Sequence, residues 1–380
     1  MNQVAMDVSA IHTPSLDSNS IDTHSIDTHS IDTRTAKNRI KCVVWDLDNT
    51  VWEGVLLEST SVPQLRPYVR DVIEALDRRG ILQSVASRNE PGPAMAALAA
   101  HGLDHYFLYP QISWNSKSQA ISTIAGKLNI GIDTFAFIDD QVFERDEVLS
   151  VHPMIRTFTE AGLERLPEVE DFNPLHLTED SKNRREMYQK EALRTQAEEE
   201  FKGPQDAFLR TLGLKLRLKP AREEDLYRAE ELTVRTNQLN TTGVTYSAEQ
   251  LRDLIESQHH QVIVAELEDK YGSYGAIGLL LISEEPDLWC VDLFLMSCRV
   301  MSRGVGGVIL TALRTSCHNR QIRLAAQFRE TDRNRMMFVT YRFAGFKEDG
   351  ERLLNDLTRI PALPDYMQLD IDPEMDWRLS

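Results

Sequence analysis

Two aspartates, one residue apart, directly follow the first apolar segment of the chain. Residues 41–50 read KCVVWDLDNT. The apolar residues 42–45 predict a strand that is buried on both faces, as in a parallel sheet. Open α/β sheets place their chemistry at the carboxyl ends of such strands, where Asp46 and Asp48 lie. Because two carboxylates repel each other and any phosphate, the pair predicts a site with a divalent cation in which a carboxylate attacks phosphorus.

Further polar residues at later strand ends complete a set for phosphoryl transfer. Asp46 would be the nucleophile that forms an aspartyl-phosphate, and Asp48 would protonate the leaving oxygen and later help deprotonate water. Mg²⁺ is the expected cofactor because it prefers oxygen ligands. Its candidate ligands are Asp46, Asp48, Asp139 and Asp140. Whether Asp139 or Asp140 is the main ligand does not follow from the spacing.

A second group of residues would hold the phosphoryl oxygens and offset their charge. The candidates for binding phosphate or substrate at this edge are Thr50, Ser87, Arg88, Asn89 and Lys117. Plain structural roles remain open for this set. The paired aspartates could cap a loop, Ser87 could be a helix N-cap, Lys117 could be a solvated lysine at a helix start, and the two residues after Ser87 suit a turn equally well.

The elements that position these residues alternate between strand and helix from residue 40 to residue 158. The predicted strands are 42–45, 81–86, 106–109 and 134–138, and the predicted helices are 69–79, 93–101 and 117–128. This order is typical of a doubly wound α/β domain with a parallel sheet. The expected organisation is a disordered leader with SIDTH repeats (1–38), this α/β domain (39–160), a charged, solvated helical linker (161–206), a second α/β domain (207–350) and a loose acidic tail (351–380).

The second domain carries a glycine-rich turn after a strand. A strand at 214–218, a helix at 223–236, a hairpin at 261–267 and 277–282, and a strand at 289–296 lead to RGVGG at 303–307. This order resembles the GNAT acyltransferase fold, in which the turn and the following helix N-terminus bind the pyrophosphate of acyl-CoA. Gly304 and Gly306 are therefore binding candidates, although Met301 replaces the usual polar or basic residue. Packing glycines would explain the turn equally well.

Cys298 lies between the predicted strand and the glycine-rich turn. A thiol there could attack an activated acyl group and pass it to another thiol. Arg299 and the nearby helix N-terminus would favour the thiolate. The alternative is a buried structural cysteine, which is how we interpret Cys290 and Cys317.

The motifs of both domains resemble known families. Residues 40–158 resemble the haloacid dehalogenase-like (HAD) superfamily. Residues 40–348 resemble the FkbH-like family, through RTNQLN at 235–240, SCRV at 297–300, TDRNRMM at 331–337 and YRFAGF at 341–346. The resemblance implies a glyceryl transferase/phosphatase of polyketide assembly, which takes 1,3-bisphosphoglycerate, removes phosphate and leaves a glyceryl thioester on an acyl carrier protein.

The same resemblance supplies roles for particular residues. It implies that Cys298 is the acyl-thioester nucleophile. It also gives further candidates for binding the glyceryl group or the phosphopantetheine arm, which are Asn237, Gln238, Asn240, Arg299 and Asn334. Asn240 could instead cap a turn, and Asn334 could be a helix N-cap. A plain phosphatase on a small metabolite or protein, and a non-catalytic carrier-binding scaffold, remain alternatives.

Composition limits the partners. The net charge of -17 argues against nucleic acid or an anionic membrane as the main partner. The four cysteines are too widely spaced for a zinc site and suit a reduced, cytoplasmic protein. Because carrier proteins are acidic too, docking would need a local basic patch. Its candidates are Arg299, Arg303, Arg333, Arg335 and Arg342.

Overall fold

The computed structural model describes residues 39–379 apart from Leu175 and Asn237. The predicted leader, residues 1–38, lies outside this range. The first domain contains the strands β1 Cys42–Trp45, β2 Leu82–Ser87, β3 Gln111–Ile112, β4 Phe135–Ile138 and β5 Arg156–Phe158. Its helices are α1 Val69–Arg78, α2 Pro91–Ala100, α3 Lys117–Leu128 and α4 Val142–Val151.

The five strands of the first domain form a parallel sheet in the order β3-β2-β1-β4-β5. Every residue of β1 and β4 is buried, as the apolar runs predict. Because β1 and β4 are neighbours in register from Cys42 with Phe135 to Trp45 with Ile138, the residues that follow them meet at one edge. The predicted α/β class with a parallel sheet is confirmed.

Two sequence predictions in this domain were wrong in detail. Residues 106–109 form no strand, because the positive φ of 51° at Tyr109 interrupts extended backbone. Phe107 makes only an isolated bridge to Gln83, and the pairing with β2 is taken by the two residues of β3. The second helix begins at Pro91 rather than Pro93, and Glu90 is its N-cap residue.

The second domain is a mixed sheet of eight strands in the order β11-β12-β10-β9-β8-β7-β6-β13. The strands are β6 Leu214–Pro220, β7 His260–Asp269, β8 Gly272–Glu285, β9 Leu288–Met296, β10 Arg323–Ala326, β11 Phe346–Asp349, β12 Arg352–Asn355 and β13 Met367–Ile371. The predicted hairpin is the antiparallel pair β7 and β8. β9 and β10 are parallel, and a long helix connects them. This domain has the predicted α/β class.

Seven helices complete the described chain. They are α5 Glu179–Lys182, α6 Arg184–Glu200, α7 Gln205–Leu212, α8 Leu226–Arg235, α9 Ala248–Glu256, α10 Val305–Arg320 and α11 Arg335–Phe343. As predicted, α10 follows the glycine-rich turn, with Gly304 as its N-cap residue at a φ of 74°. Between residues 39 and 379, leaving aside the two undescribed positions, no helix has the length and apolar character needed to cross a bilayer.

The linker is helical as predicted but only one of its faces is solvated. On α6, the residues Arg184, Met187 and Arg194 are buried. The neighbouring Arg185 pairs with Asp77 of α1 at 2.9 Å, so one face of the helix contacts the first domain. Three of its arginines, Arg184, Arg185 and Arg194, form ion pairs with residues of other elements, while the opposite face of the helix keeps exposed charged residues.

The predicted loose acidic tail, residues 351–380, was also wrong. β12 pairs with β11 and β10, and β13 extends the sheet by pairing in parallel with β6. The apolar residues of β13 alternate with polar ones, so that Met367, Leu369 and Ile371 pack on the core. Trp377 beyond it is 7% exposed and donates a hydrogen bond to Gln261. The acidic composition of the segment concealed this period-two pattern.

Candidate functional site

Three carboxylates meet at the carboxyl edge of the parallel sheet. Asp46 follows β1, and Asp139 and Asp140 follow β4. Each offers an oxygen within 4.8 Å of the others. Asp46 is 5% exposed and Asp139 is 1% exposed, whereas Asp140 is half-buried. The structure thus brings together three of the four candidate metal ligands named from the sequence, and the fourth, Asp48, is not part of the group.

Lys117, the first residue of α3, places its ammonium among these carboxylates. It contacts Asp46 and lies 2.9 Å from an oxygen of Asp139. A fourth carboxylate, that of Glu144 on α4, lies 3.5 Å away. Lys117 is 3% exposed, which excludes the solvated lysine that the sequence left open. Glu144 was missed because nothing in its sequence context separates it from the other acids of an exposed-looking helix.

Burial and crowding dominate the electrostatics of this edge. Burial raises the pKa of Asp46 to about 7, with Asp139 adding to the rise and Lys117 opposing it. Burial and the neighbouring Asp139 also raise the pKa of Asp140. Burial alone would lower the pKa of Lys117, but its attraction to Asp46 and Asp139 raises it. The carboxylates therefore carry more negative charge than one ammonium offsets.

This donor set fits a divalent cation. Carboxylate oxygens are hard ligands of the kind that Mg²⁺ prefers, and three converge within the reach of one ion. Burial and the neighbouring Asp139 raise the pKa values of Asp46 and Asp140, so a bound cation would stabilise their charged forms. The residues that would hold Mg²⁺ are Asp46, Asp139 and Asp140.

The side chain of Asp48 is directed to other partners. Its Oδ1 accepts hydrogen bonds from the Trp52 indole at 2.8 Å and the Leu56 backbone N–H at 3.1 Å. Its Oδ2 accepts one at 3.1 Å from the side chain of Asn89, which is fully buried. Asp48 is therefore held in a fixed orientation two residues from Asp46, outside the group of three carboxylates. Its assignment as general acid stays a prediction.

The remaining predicted residues of this edge lie around the carboxylates. The Thr50 hydroxyl accepts a hydrogen bond from the backbone N–H of Asp140 at 3.1 Å, which ties the loop after β1 to the end of β4. Ser87 ends β2 and is 3% exposed, and it is not the N-cap of α2. Arg88 pairs with Glu144 at 3.0 Å. The buried carboxylate of Glu144 thus contacts both Arg88 and Lys117.

Cys298 lies in a different place, a cavity of about 510 Å³ between the two domains. The cavity is lined by Lys41 just before β1, by Arg235 at the end of α8, and by Cys298 and Arg299 after β9. Gln238 lines it as well and is exposed. Lys41 is the first residue of the segment 41–50, but only the polar residues that follow the strand in that segment were predicted to be functional.

The environment of Cys298 corrects one expectation. Burial raises the pKa of this thiol, and the opposing effects of Arg299 and the Asn129 side chain do not overcome it. Cys298 is therefore not held as a thiolate, contrary to the prediction from its basic neighbour. It is nevertheless partly exposed, whereas Cys42, Cys290 and Cys317 are buried.

Two predicted asparagines are used structurally. Asn240 accepts hydrogen bonds from the backbone N–H groups of Thr242 and Gly243 at 3.1 and 2.9 Å, which is the turn-capping role considered above. Asn334 is fully buried and donates to the carbonyl oxygens of Arg329 and Asn240 at 2.9 and 3.0 Å. Neither residue lines the cavity. Asn237, a third candidate, lies outside the described residues.

The glycine-rich turn is closely packed. A Cβ at Gly306 would lie 2.7 Å from the end of the Met296 side chain, and one at Gly304 would collide with the Tyr366 hydroxyl. Arg303, a candidate for carrier docking, is 1% exposed and pairs with Glu198 of α6 at 2.7 Å. Packing therefore accounts for the glycines, and Arg303 is unavailable to an external partner.

The two sites lie at opposite edges of the parallel sheet. Lys41 and Thr134, which border the cavity, precede β1 and β4, whereas Asp46 and Asp139 follow them. The four residues of β1 separate Lys41 from Asp46, so five steps along extended backbone place them about 16 Å apart. The carboxylate group and the thiol are therefore separate sites.

Similarity to solved structures covers each domain separately. The N-terminal part of a Bacteroides fragilis protein, containing a phosphatase domain complexed with Mg, is 28% identical over 37% of this chain and 41% of its own, with a TM-score of 0.32. This chain thus spans about two fifths of that protein's length. A phosphinothricin N-acetyltransferase is 18% identical over 38% of this chain and 99% of its own, with a TM-score of 0.28. The sequence matches no family model and no curated protein.

A second phosphatase structure is similar at the same level. The cobalt-bound deoxy-D-mannose-octulosonate 8-phosphate phosphatase of Haemophilus influenzae is 18% identical over 33% of this chain and 70% of its own, with a TM-score of 0.27. We base the fold assignment of the two domains on their sheet orders and pairing.

Proposed function

We propose that this chain is a Mg²⁺-dependent phosphatase and acyl transferase of the FkbH-like kind. It would load a glyceryl unit from 1,3-bisphosphoglycerate onto the phosphopantetheine thiol of an acyl carrier protein. The observation that carries the proposal is the group of Asp46, Asp139 and Asp140, in which the ammonium of Lys117 contacts the first two carboxylates. The partly exposed Cys298 in its own cavity supports the transferase half.

At the carboxylate edge, an oxygen of Asp46 attacks phosphorus while the bond from phosphorus to the substrate oxygen breaks. The leaving alkoxide takes a proton from Asp48, which recovers one from the water that later hydrolyses the aspartyl-phosphate. Lys117 offsets the charge of the phosphoryl oxygens. Bound Mg²⁺ would supply the further positive charge that a phosphomonoester with a poor leaving group needs.

At the cavity, the Cys298 sulfur attacks the carbonyl carbon of an acyl phosphate. The carbon–sulfur bond forms, the bond from that carbon to the phosphate oxygen breaks, and the departing phosphate takes the thiol proton. The carrier thiol then attacks the same carbonyl carbon, the bond from that carbon to the Cys298 sulfur breaks, and the proton of the carrier thiol passes to the released Cys298 sulfur. Because an acyl phosphate is already activated, positioning and charge matter more than strong acid help.

The test combines the full chain with 1,3-bisphosphoglycerate, Mg²⁺ and a pantetheinylated carrier, followed by intact-protein and peptide mass spectrometry. We expect an acyl adduct on Cys298 and a glyceryl adduct on the carrier. Cys298→Ala should abolish both, whereas Cys317→Ala, at a buried cysteine of α10, is the matched control.

The same experiment separates the rival functions. A plain phosphatase would release phosphate and would show no Cys298-dependent loading of the carrier. A non-catalytic scaffold would release no phosphate, and Asp46→Asn would change nothing. Loading that survives intact in Cys298→Ala would exclude the thioester mechanism.

A further inference from the structure

The cavity around Cys298 has a charge opposite to that of the whole chain. Its cationic lining residues are Lys41, Arg184, Arg228, Arg235, Arg299 and Arg333. Its acidic lining residues are Asp133, Asp180 and Asp332. The chain as a whole carries a net charge of -17. A cavity with more cations than acids is therefore a local property of this interface.

Internal ion pairs offset only part of this charge. One carboxylate, that of Glu231, is shared by Arg184, Arg228 and Arg235, with Arg228 at 2.7 Å and Arg235 at 2.9 Å. Asp180 pairs with Arg228 at 2.8 Å. Three guanidinium groups thus share two carboxylates, which leaves a net positive charge beside the cavity.

Lys41 and Arg299 have no carboxylate within 4.0 Å in the part of the chain that the structure describes. Arg299 instead donates hydrogen bonds to neutral acceptors, the Tyr274 carbonyl at 3.0 Å and Ser297 at 3.4 Å. Burial, together with repulsion from Arg235 and Arg184, lowers the pKa of Lys41 to about 8. Crowded cations of this kind are stabilised by an anion placed between them.

The size and position of the cavity limit the anion. About 510 Å³ suits a small ligand with room to spare. Lysine and arginine together are a common phosphate-binding combination. The thiol of Cys298 opens into the same cavity, so a ligand held by the cations would present its other end to sulfur.

We propose that the interdomain cavity binds the phosphate group of a phosphorylated three-carbon acid, with Lys41 and Arg235 as phosphate-binding residues beside Cys298. The identity of the acid rests on the proposed function, whereas the phosphate site rests on the cavity itself. The first domain would then contribute residues to two sites. Its carboxylates form the site at the carboxyl edge of its sheet, and Lys41, at the amino edge of the same sheet, would bind phosphate beside Cys298.

The test measures protection of Cys298 from alkylation in the full chain, with EDTA present so that the carboxylate edge holds no metal. Only Cys298 among the cysteines is partly exposed, so peptide mass spectrometry can follow its reaction with iodoacetamide. We expect 3-phosphoglycerate to protect the thiol and glycerate, which lacks the phosphate, to protect it far less. Lys41→Met should weaken protection by about tenfold, the effect of losing one charged hydrogen bond.

Two further variants keep the test decisive. Lys41→Arg retains the charge and should retain most of the protection, and Lys127→Met removes an exposed lysine of α3 and should change nothing. The proposal is overturned if glycerate protects as well as 3-phosphoglycerate, or if Lys41→Met protects like the unchanged chain. A failure of the proposed function would give a different result from these two outcomes. In that case 3-phosphoglycerate would still protect Cys298 from alkylation, but 1,3-bisphosphoglycerate would leave no acyl group on Cys298.

Discussion

At the level of single residues, Lys117 is the cation that makes the carboxylate edge possible. It is 3% exposed and contacts acids from three parts of the chain, Asp46, Asp139 and Glu144. Without it these groups would be buried with no cation among them. Their negative charge would then oppose folding, unless they took up protons or bound a metal.

We therefore expect Lys117→Met to lower the free energy of unfolding in EDTA by about 3–5 kcal/mol, the range for breaking a buried ion pair. Added Mg²⁺ should restore part of the loss, because the ion supplies positive charge at the same place. Urea denaturation measures both effects. Lys127→Met, at an exposed lysine of the same helix, is the control and should change the stability by less than about 0.5 kcal/mol. Equal stability of the two variants would contradict this role.

Lys41 gives the thiol cavity a dependence on pH. Burial and the nearby Arg235 and Arg184 lower its pKa to about 8, while Asp133 and Glu231 oppose that effect. Below pH 8 the ammonium form predominates and attracts anions, and above it this charge is lost. The arginines stay charged through this range.

Cys298 can be alkylated by anionic iodoacetate and by neutral iodoacetamide, and the quotient of interest is the first rate divided by the second. We expect this quotient to fall by about threefold between pH 7 and pH 9, because the anionic reagent loses the attraction of the Lys41 ammonium. The quotient cancels the changing thiolate fraction, since both reagents attack the same thiolate. In Lys41→Met the quotient should be lower and nearly independent of pH. A quotient in the unchanged chain that is flat across pH 8 would show that Lys41 does not face the thiol.

At the level of secondary structure, α6 connects the two domains through buried charge. Arg194 forms two hydrogen bonds to Asp269 of β7, at 2.8 and 2.9 Å, and its guanidinium lies 3.7 Å from the centre of the Tyr274 ring. The two side chains are 1% and 0% exposed. This pair fixes the linking helix on the second domain.

We expect Arg194→Met to cost about 3–5 kcal/mol of unfolding free energy, because it leaves the Asp269 carboxylate buried without its cation. Arg210→Met is the matched control: Arg210 pairs with Asp365 at 2.8 Å, but these side chains are 50% and 72% exposed. That exposed pair should contribute less than about 1 kcal/mol. Denaturant unfolding compares the two, and similar losses would mean that burial is not what makes the first pair important.

The sequence predicted best where a local pattern decides the structure. The strand β1 and the capped helix α3 are each determined by neighbouring residues in the sequence. The pairing of the apolar strands β1 and β4 then brings Asp46 and Asp139 to one edge of the sheet. The charged stretch of α6 was misjudged because composition cannot tell a solvated arginine from one that pairs with a distant strand, as Arg194 does. β13 was missed because its partner, β6, lies about 150 residues earlier in the chain.

At the level of the whole molecule, the division between the two sites follows from one sheet. Its carboxyl edge holds the acids, and its amino edge forms a wall of the thiol cavity. The sequence could not predict this arrangement, because the contacts that close the cavity join Lys41 to residues nearly 200 positions away in the chain. The edges are about 16 Å apart, whereas a three-carbon chain extends over roughly 5 Å.

A small substrate therefore cannot contact both sites at once, so a substitution that inactivates one site should leave the reaction at the other site intact. With 1,3-bisphosphoglycerate and no carrier, we expect Asp46→Asn to form an adduct on Cys298 that still carries one phosphate. Cys298→Ala should form no adduct, yet should still release phosphate from a phosphomonoester such as 3-phosphoglycerate when Mg²⁺ is present. Intact-protein mass spectrometry and a phosphate assay measure the two outcomes. If Asp46→Asn gave an adduct without phosphate, some group other than Asp46 would be removing it, and the carboxylate edge would not be the phosphatase site of this chain.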